Sequence, residues 1–177
     1  MYPYLKLTST LLRARFRSRI DLDDKARLAG RVGLFDIDPF RELNHARQIT
    51  WFEMARWDYA QRVGFIPLMR QRKWGFSVGG ISIRYRRRLS LGQRFVVTTQ
   101  PLAQDGRWLY MLQEILRDDE ICSSALLKVG IVGGGGLVPA PQVLEALHRS
   151  DWNPPMPDWI DAWIKAEGQR PWPKKLA

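Results

Sequence analysis

Cysteine and histidine are scarce in this sequence. One cysteine, Cys122, and two histidines, His45 and His148, stand among 177 residues. A single thiol excludes an internal disulfide and suggests a reducing compartment. Its neighbours Ile121, Ser123, Ser124 and Ala125 read as a strand that packs the thiol away as an inert group. So few nitrogen and sulfur ligands, none paired at a usual spacing, leave no zinc site, and no metal is assigned. No cofactor is expected either. The one glycine run, residues 133–136, lacks the Gly-Lys-Ser/Thr continuation of a phosphate loop and reads as a turn.

Long apolar runs are missing as well. No stretch approaches the ~18 apolar residues that a membrane span needs. The apolar residues near the start, Leu7, Leu11 and Leu12, are interrupted by Thr8, Ser9 and Thr10 and followed by Arg13, Arg15, Arg17 and Arg19. That order does not make a secretory signal, so the expected location is the cytoplasm.

Acidic residues are in deficit: 18 Asp and Glu oppose 28 Lys and Arg, a formal charge of +10. Such a field attracts polyanions, whether nucleic acid, an anionic membrane or a phosphorylated molecule such as coenzyme A. Charge alone does not choose among them. The interleaved aromatic stacking surface and the motifs of nucleic-acid binding are missing, which sets that partner aside.

What is present is an ordered series of elements. Residues 1–25 form a basic leader in which Leu5, Leu12, Phe16 and Ile20 fall near helical spacing. Such a helix packs on the body or on a partner; a membrane-surface contact through residues 1–20 is the second reading. A strand is expected across 26–36, then a polar loop, then a helix over about 45–63 with Asn44 as its cap and Gly64 as its stop. This helix carries Ile49, Trp51, Phe52, Met54, Ala55, Trp57, Tyr59 and Val63, apolar on more than one face, so it must be surrounded. Four strands follow, at about 74–89, 95–102, 108–116 and 121–132, turned at Asp105-Gly106 and Asp118-Asp119. A short helix from Pro141 to His148 closes the domain, with Pro141 where its missing N–H costs nothing. Residues 149–177 are a Pro- and Trp-rich extension in which Asp158 is a possible helix cap. The expected architecture is α+β: a curled antiparallel sheet of about five strands wrapped around one long apolar helix, the hotdog fold, over residues 26–148.

The chemistry concentrates in Asp36-Ile37-Asp38-Pro39 and Asn44-His45, just before that helix. Hydrolysing a thioester needs a carboxylate to attack the carbonyl or to activate water, and a donor for the oxygen that becomes negative. Unpaired N–H groups and the positive dipole end of a helix N-terminus can supply the donor.

This run, Asp-x-Asp-Pro followed by Asn and an aromatic-rich helix, resembles the 4-hydroxybenzoyl-CoA thioesterase family of hotdog proteins. So do the strand from Val78 to Leu89 and the Leu137-Val138-Pro139 that precedes the short helix. The resemblance covers roughly residues 28–148. It implies an acyl-CoA or aroyl-CoA substrate, Asp38 as the catalytic carboxylate, and the His45 backbone N–H as the oxyanion donor. Asp36, Asn44 and Glu42 are implied as supporting groups. The pattern departs from the family at Glu42, where many relatives carry His, at His45, where they carry a second Asn, and at Gln48, where they carry Tyr. Active sites at subunit interfaces imply a homodimer or a tetramer. The arginines Arg84, Arg86 and Arg88 are expected on one outward strand face, suited to the phosphates of coenzyme A.

Overall fold

In the computed structural model residues 3–171 are described. The chain opens with helix α1 (Tyr4–Arg15) and strand β1 (Ala26–Arg31), followed by α2 (His45–Arg62) and α3 (Phe65–Arg72). Four long strands come next: β2 (Gly75–Tyr85), β3 (Arg94–Gln104), β4 (Leu109–Arg117) and β5 (Glu120–Gly133). A short β6 (Gly136–Val138), α4 (Ala140–Ala146) and α5 (Asp158–Gln169) complete the order. All pairings are antiparallel, in the order β1-β3-β4-β5-β2, with β6 added to β5.

Turn chemistry sets the hairpins. At the β3–β4 turn Asp105 Oδ1 accepts from the N–H groups of Arg107 and Trp108 at 3.0 and 2.7 Å, and its Oδ2 takes the hydroxyl of buried Tyr110 at 2.6 Å. Asp118 and Asp119 both have positive φ, 53° and 60°. Two successive residues of that kind give the tight hairpin turn that matches the right-handed twist of the strands.

The register of β5 then sorts its side chains. Ala125, Leu127 and Val129 pack in one cluster with Phe52, Ala55 and Tyr59 of α2. Leu126 points the other way, into a cluster with Ala103, Tyr110 and Ile160 of α5. Alternation along a strand requires this split. The sheet therefore buries one face against α2 and part of the other against the C-terminal helix. Fully burying a side chain such as Ile160 contributes about 1.5–3 kcal/mol. A polar hub fastens α2 to the sheet: Gln113, fully buried in β4, donates from Nε2 to Phe52 O at 2.9 Å and to Thr99 Oγ1 at 2.7 Å. Its Oε1 accepts from Arg56 Nη1 at 2.7 Å. Each buried polar atom of that amide is thus paired.

The arrangement is the α+β hotdog expected from the element order, with local corrections. The first strand stops at Arg31, and a 3₁₀ turn, Leu34–Asp36, takes up the rest of the expected range. An additional helix, α3, stands between α2 and β2; Gly64, at φ 83°, makes the bend between the two helices. The strand expected to reach Leu89 ends at Tyr85, because Arg86 N–H and Arg87 N–H both turn onto Cys122 O, at 2.8 and 3.0 Å. Asp158 is the first residue of α5 and not its cap, which is Pro157. Nor is α2 wrapped by apolar contacts alone: Gln48, Asp58 and Arg62 are buried on it, while Ile49 is exposed.

Asp58 explains how the leader attaches. Arg17 Nη1 lies 2.9 and 3.1 Å from its two oxygens, Arg62 Nη1 lies 3.7 Å away, and Arg62 Nε donates to Ser18 O at 3.0 Å. The leader helix α1 lies alongside α2 with Thr10 and Ala14 buried.

Candidate active site

The loop before α2 is built by its own side chains. Asp38 Oδ1 accepts from Phe40 N–H at 2.9 Å and Glu42 N–H at 3.2 Å, and Asp38 N–H donates to Glu42 O at 2.9 Å. An aspartate that bonds the backbone two residues on is the usual way a polar loop is turned. Its other oxygen, Oδ2, has no partner among the described residues. Asp38 is half-buried, so this oxygen belongs to a carboxylate that solvent or a ligand can reach.

Asp36 is a different kind of carboxylate. It is buried; Oδ2 accepts from Gly33 N–H at 3.3 Å and Oδ1 from Lys6 Nζ at 3.3 Å, while its carbonyl accepts from Asn44 N–H at 2.9 Å. Asp36 thus ties the start of the loop to its end. Lys6, on α1, also lies 4.0 Å above the Trp51 ring, a cation–π contact. Nothing in the sequence signalled Lys6, thirty residues upstream.

Asn44 caps α2, its side chain accepting from Ala46 N–H at 2.9 Å. Helix geometry gives the His45 N–H, at the first position, no intrahelical acceptor. The His45 side chain is exposed. Glu42 points to Arg88, its Oε1 accepting from Nη1 at 3.0 Å. One loop therefore brings together Asp36, Asp38, Glu42, Asn44 and His45, with Arg88 at its edge.

Arg84 and Arg86 do not join them on one face. By register Arg84 opposes Ser124 on the α5 side of the sheet, where it lines a surface pocket with Ser82, Trp159 and Trp163. Arg86 is exposed beyond the strand end, and the intervening Arg87 pairs with Glu120. Deeper in α2, the buried Gln48 donates from Nε2 to Leu43 O at 3.2 Å, while its Oε1 and the Nε1 of Trp51 have no partner among the described residues. Cys122 is buried, and burial pushes its thiol pKa up, so it stays protonated. A small, partly open cavity lies under the C-terminal half of α2, lined by Tyr59, Phe76, Met111 and Val129 among other apolar residues and by Arg56, and it contains none of the loop residues.

A sheet curled around one long helix, with a half-buried aspartate in the loop that leads into that helix, defines a protein of the hotdog class. The chain belongs to the thioesterase-like superfamily, whose family model matches residues 32–164. It is 30% identical over 159 residues to Protein THEM6 of Danio rerio, covering 87% of this chain and 76% of that one. It is 28% identical over 133 residues to the acyl-CoA thioesterase YbgC of Haemophilus influenzae, covering 72% of this chain and 98% of that one. Among solved structures, the probable thioesterase YbaW of Escherichia coli superposes with a TM-score of 0.64 at 22% identity, over 70% of this chain and 97% of that one.

Proposed function

We propose that the protein hydrolyses an acyl-CoA or aroyl-CoA thioester to the free acid and coenzyme A, with Asp38 as its catalytic carboxylate. The observation that carries this reading is the division of labour within Asp38. One oxygen is held by the loop's own N–H groups, which fixes the side chain, and the other has no partner among the described residues, in the loop that leads into α2. A fixed carboxylate with one available oxygen can attack the carbonyl carbon or take a proton from water that does so. By the first route the C–S bond breaks as the thiolate leaves and a mixed anhydride forms on Asp38, which water then hydrolyses to the free acid, its proton going to the thiolate. By the second, water adds to the carbonyl as Asp38 takes its proton, and that proton passes to the departing thiolate. The open His45 N–H faces no competing intrahelical acceptor and serves the developing oxyanion. Asp36, held by Lys6 and Gly33, keeps the loop in place. Similarity to an acyl-CoA thioesterase supports the choice of coenzyme A ester. Thiol release across a panel of acyl-CoAs tests the reading; a chain that turns over none of them binds thioesters or a partner without catalysis.

Of the three arginines expected to hold coenzyme A phosphates, only Arg88 stands beside the loop, through Glu42, and the phosphate contact is assigned to it; Arg84 and Arg86 face elsewhere. Since Arg88 neighbours the loop, Arg88→Gln is expected to raise KM by about tenfold, the worth of one charged hydrogen bond, with kcat nearly unchanged. Phosphate contacts are remote from the reacting carbon, so they bind ground and transition states alike. The loss shrinks at high salt and vanishes for a thioester carrying only the pantetheine arm. Equal impairment on both substrates gives Arg88 a structural role instead.

A second copy completes the assembly. Among the described residues β2 pairs only with β5, which leaves its other edge without a strand partner there, and Val78, Ile81 and Tyr85 on its helix-side face are exposed. An open edge bearing exposed apolar side chains invites pairing. The expected mass by light scattering is that of a homodimer or tetramer; an active, concentration-independent monomer would sink this assignment.

A further inference from the structure

Helix α1 has two apolar sides, and α2 covers only one. Thr10 and Ala14 are buried against the body, whereas Leu5, Leu12 and Phe16 are 89%, 57% and 82% exposed. Spacings of seven and four residues put these three in a single stripe along the helix. Arg13 and Arg15 flank the stripe, one on each side. Beyond Arg15 a groove runs between α1 and α3, with Leu11, Ile66 and Pro67 in its lining and Arg19 and Arg70 at its margins. No acidic residue lines it. Arg13, Arg15, Arg19 and Arg70 make no ion pair among the described residues, unlike Arg17 and Arg62, which are held by Asp58.

We infer that this face docks on the surface of an anionic lipid bilayer. The stripe supplies apolar side chains that gain by leaving water for the acyl boundary, and the unpaired guanidinium groups supply headgroup contacts. No described helix is long and apolar enough to cross a membrane, so α1 lies along the interface. Charge complementarity selects the occupant. A second copy meeting this face about a twofold axis would set arginines against arginines. A nucleic-acid backbone would satisfy the arginines but leave Leu5, Leu12 and Phe16 without an apolar counterpart. The inference stands on α1 and α3 and does not depend on the thioester reading.

Sedimentation of the full chain with phosphatidylcholine vesicles, with and without phosphatidylglycerol, tests it. Binding is expected only where phosphatidylglycerol is present. Each of Arg13→Gln, Arg15→Gln and Arg19→Gln should lower the partition about fivefold. Leu12→Ser with Phe16→Ser should lower it too, with the melting temperature unchanged because both side chains are exposed. Wild-type binding should weaken steeply with added salt, a readout that needs no variant. Turnover of a soluble short-chain acyl-CoA should be the same in every variant, so loss of docking and loss of hydrolysis are read separately. Equal binding to neutral vesicles, a flat salt profile, or no change in the arginine variants overturns the inference. Tighter binding to duplex DNA than to anionic vesicles at the same salt overturns it too and gives the face to nucleic acid.

Discussion

Replacing Asp38 by Asn is expected to lower turnover of the preferred acyl-CoA by about 10²–10⁴-fold at saturating substrate. The substitution is chosen for what it preserves. The carboxamide oxygen of Asn can still accept from Phe40 N–H and Glu42 N–H, the two bonds that shape the loop, so the turn should persist. What disappears is the anion, and with it both the nucleophile and the general base. Melting temperature should therefore stay near the wild-type value while thiol release collapses, and KM should change little. Asp38→Ala would confuse the two effects, since it also strips the loop of its acceptor. If Asp38→Asn turns over normally, Asp38 is only a loop-turning residue and the chemistry belongs elsewhere.

That loop also shows how far a sequence can be read. Asn44 as the cap, Gly64 as the bend after α2 and the two acidic hairpin turns were legible because each is a local event, decided by a side chain and backbone a few residues apart. The element order followed, and the order defined the sheet. Three kinds of feature were not legible. The first is a helix whose signals conflict: α3 carries Pro67 in its first turn and follows a glycine bend, so its eight residues resemble a connecting loop. The second is a strand end set by a distant acceptor, as where Cys122 O takes the N–H groups of Arg86 and Arg87 and splits the arginine run expected on one face. The third is a partner supplied from far along the chain. Only the family resemblance set Asp36 apart from Asp38, as a supporting group; in the fold Lys6 and Gly33 N–H occupy Asp36, which makes the two unlike in burial and in available oxygens. Pattern alone could not assign different roles to two aspartates two residues apart. Geometry separates them.

Asp58 was hidden for the same reason, inside a helix that reads as apolar, and Asp58→Ala is expected to be the most destabilising single substitution proposed for this chain. Asp58 is 1% exposed and faces two guanidinium groups, Arg17 from the leader and Arg62 one turn further along α2. Removing it leaves Arg62 buried with no anion, a loss of about 3–5 kcal/mol. It also releases Arg17, which holds the segment after α1, so protease sensitivity near residues 16–20 should rise along with the fall in the urea midpoint. The cluster is costly to break without being a large source of stability. Burial holds the Asp58 carboxyl above its ordinary pKa, against the pull of Arg17 and Arg62. An acid with a raised folded pKa keeps its proton longer when folded than when unfolded. Its contribution is therefore largest below the ordinary carboxylate pKa and declines as pH rises through the folded value. Wild-type stability measured relative to Asp58→Asn should accordingly fall over that acidic window and level off above it. Exchanging all three charges for apolar residues of similar size is expected to restore most of what Asp58→Ala loses, because no buried charge is then left unpaired. If Asp58→Ala melts like the wild type, the three charges are not coupled, and the leader is held by its apolar contacts with α2.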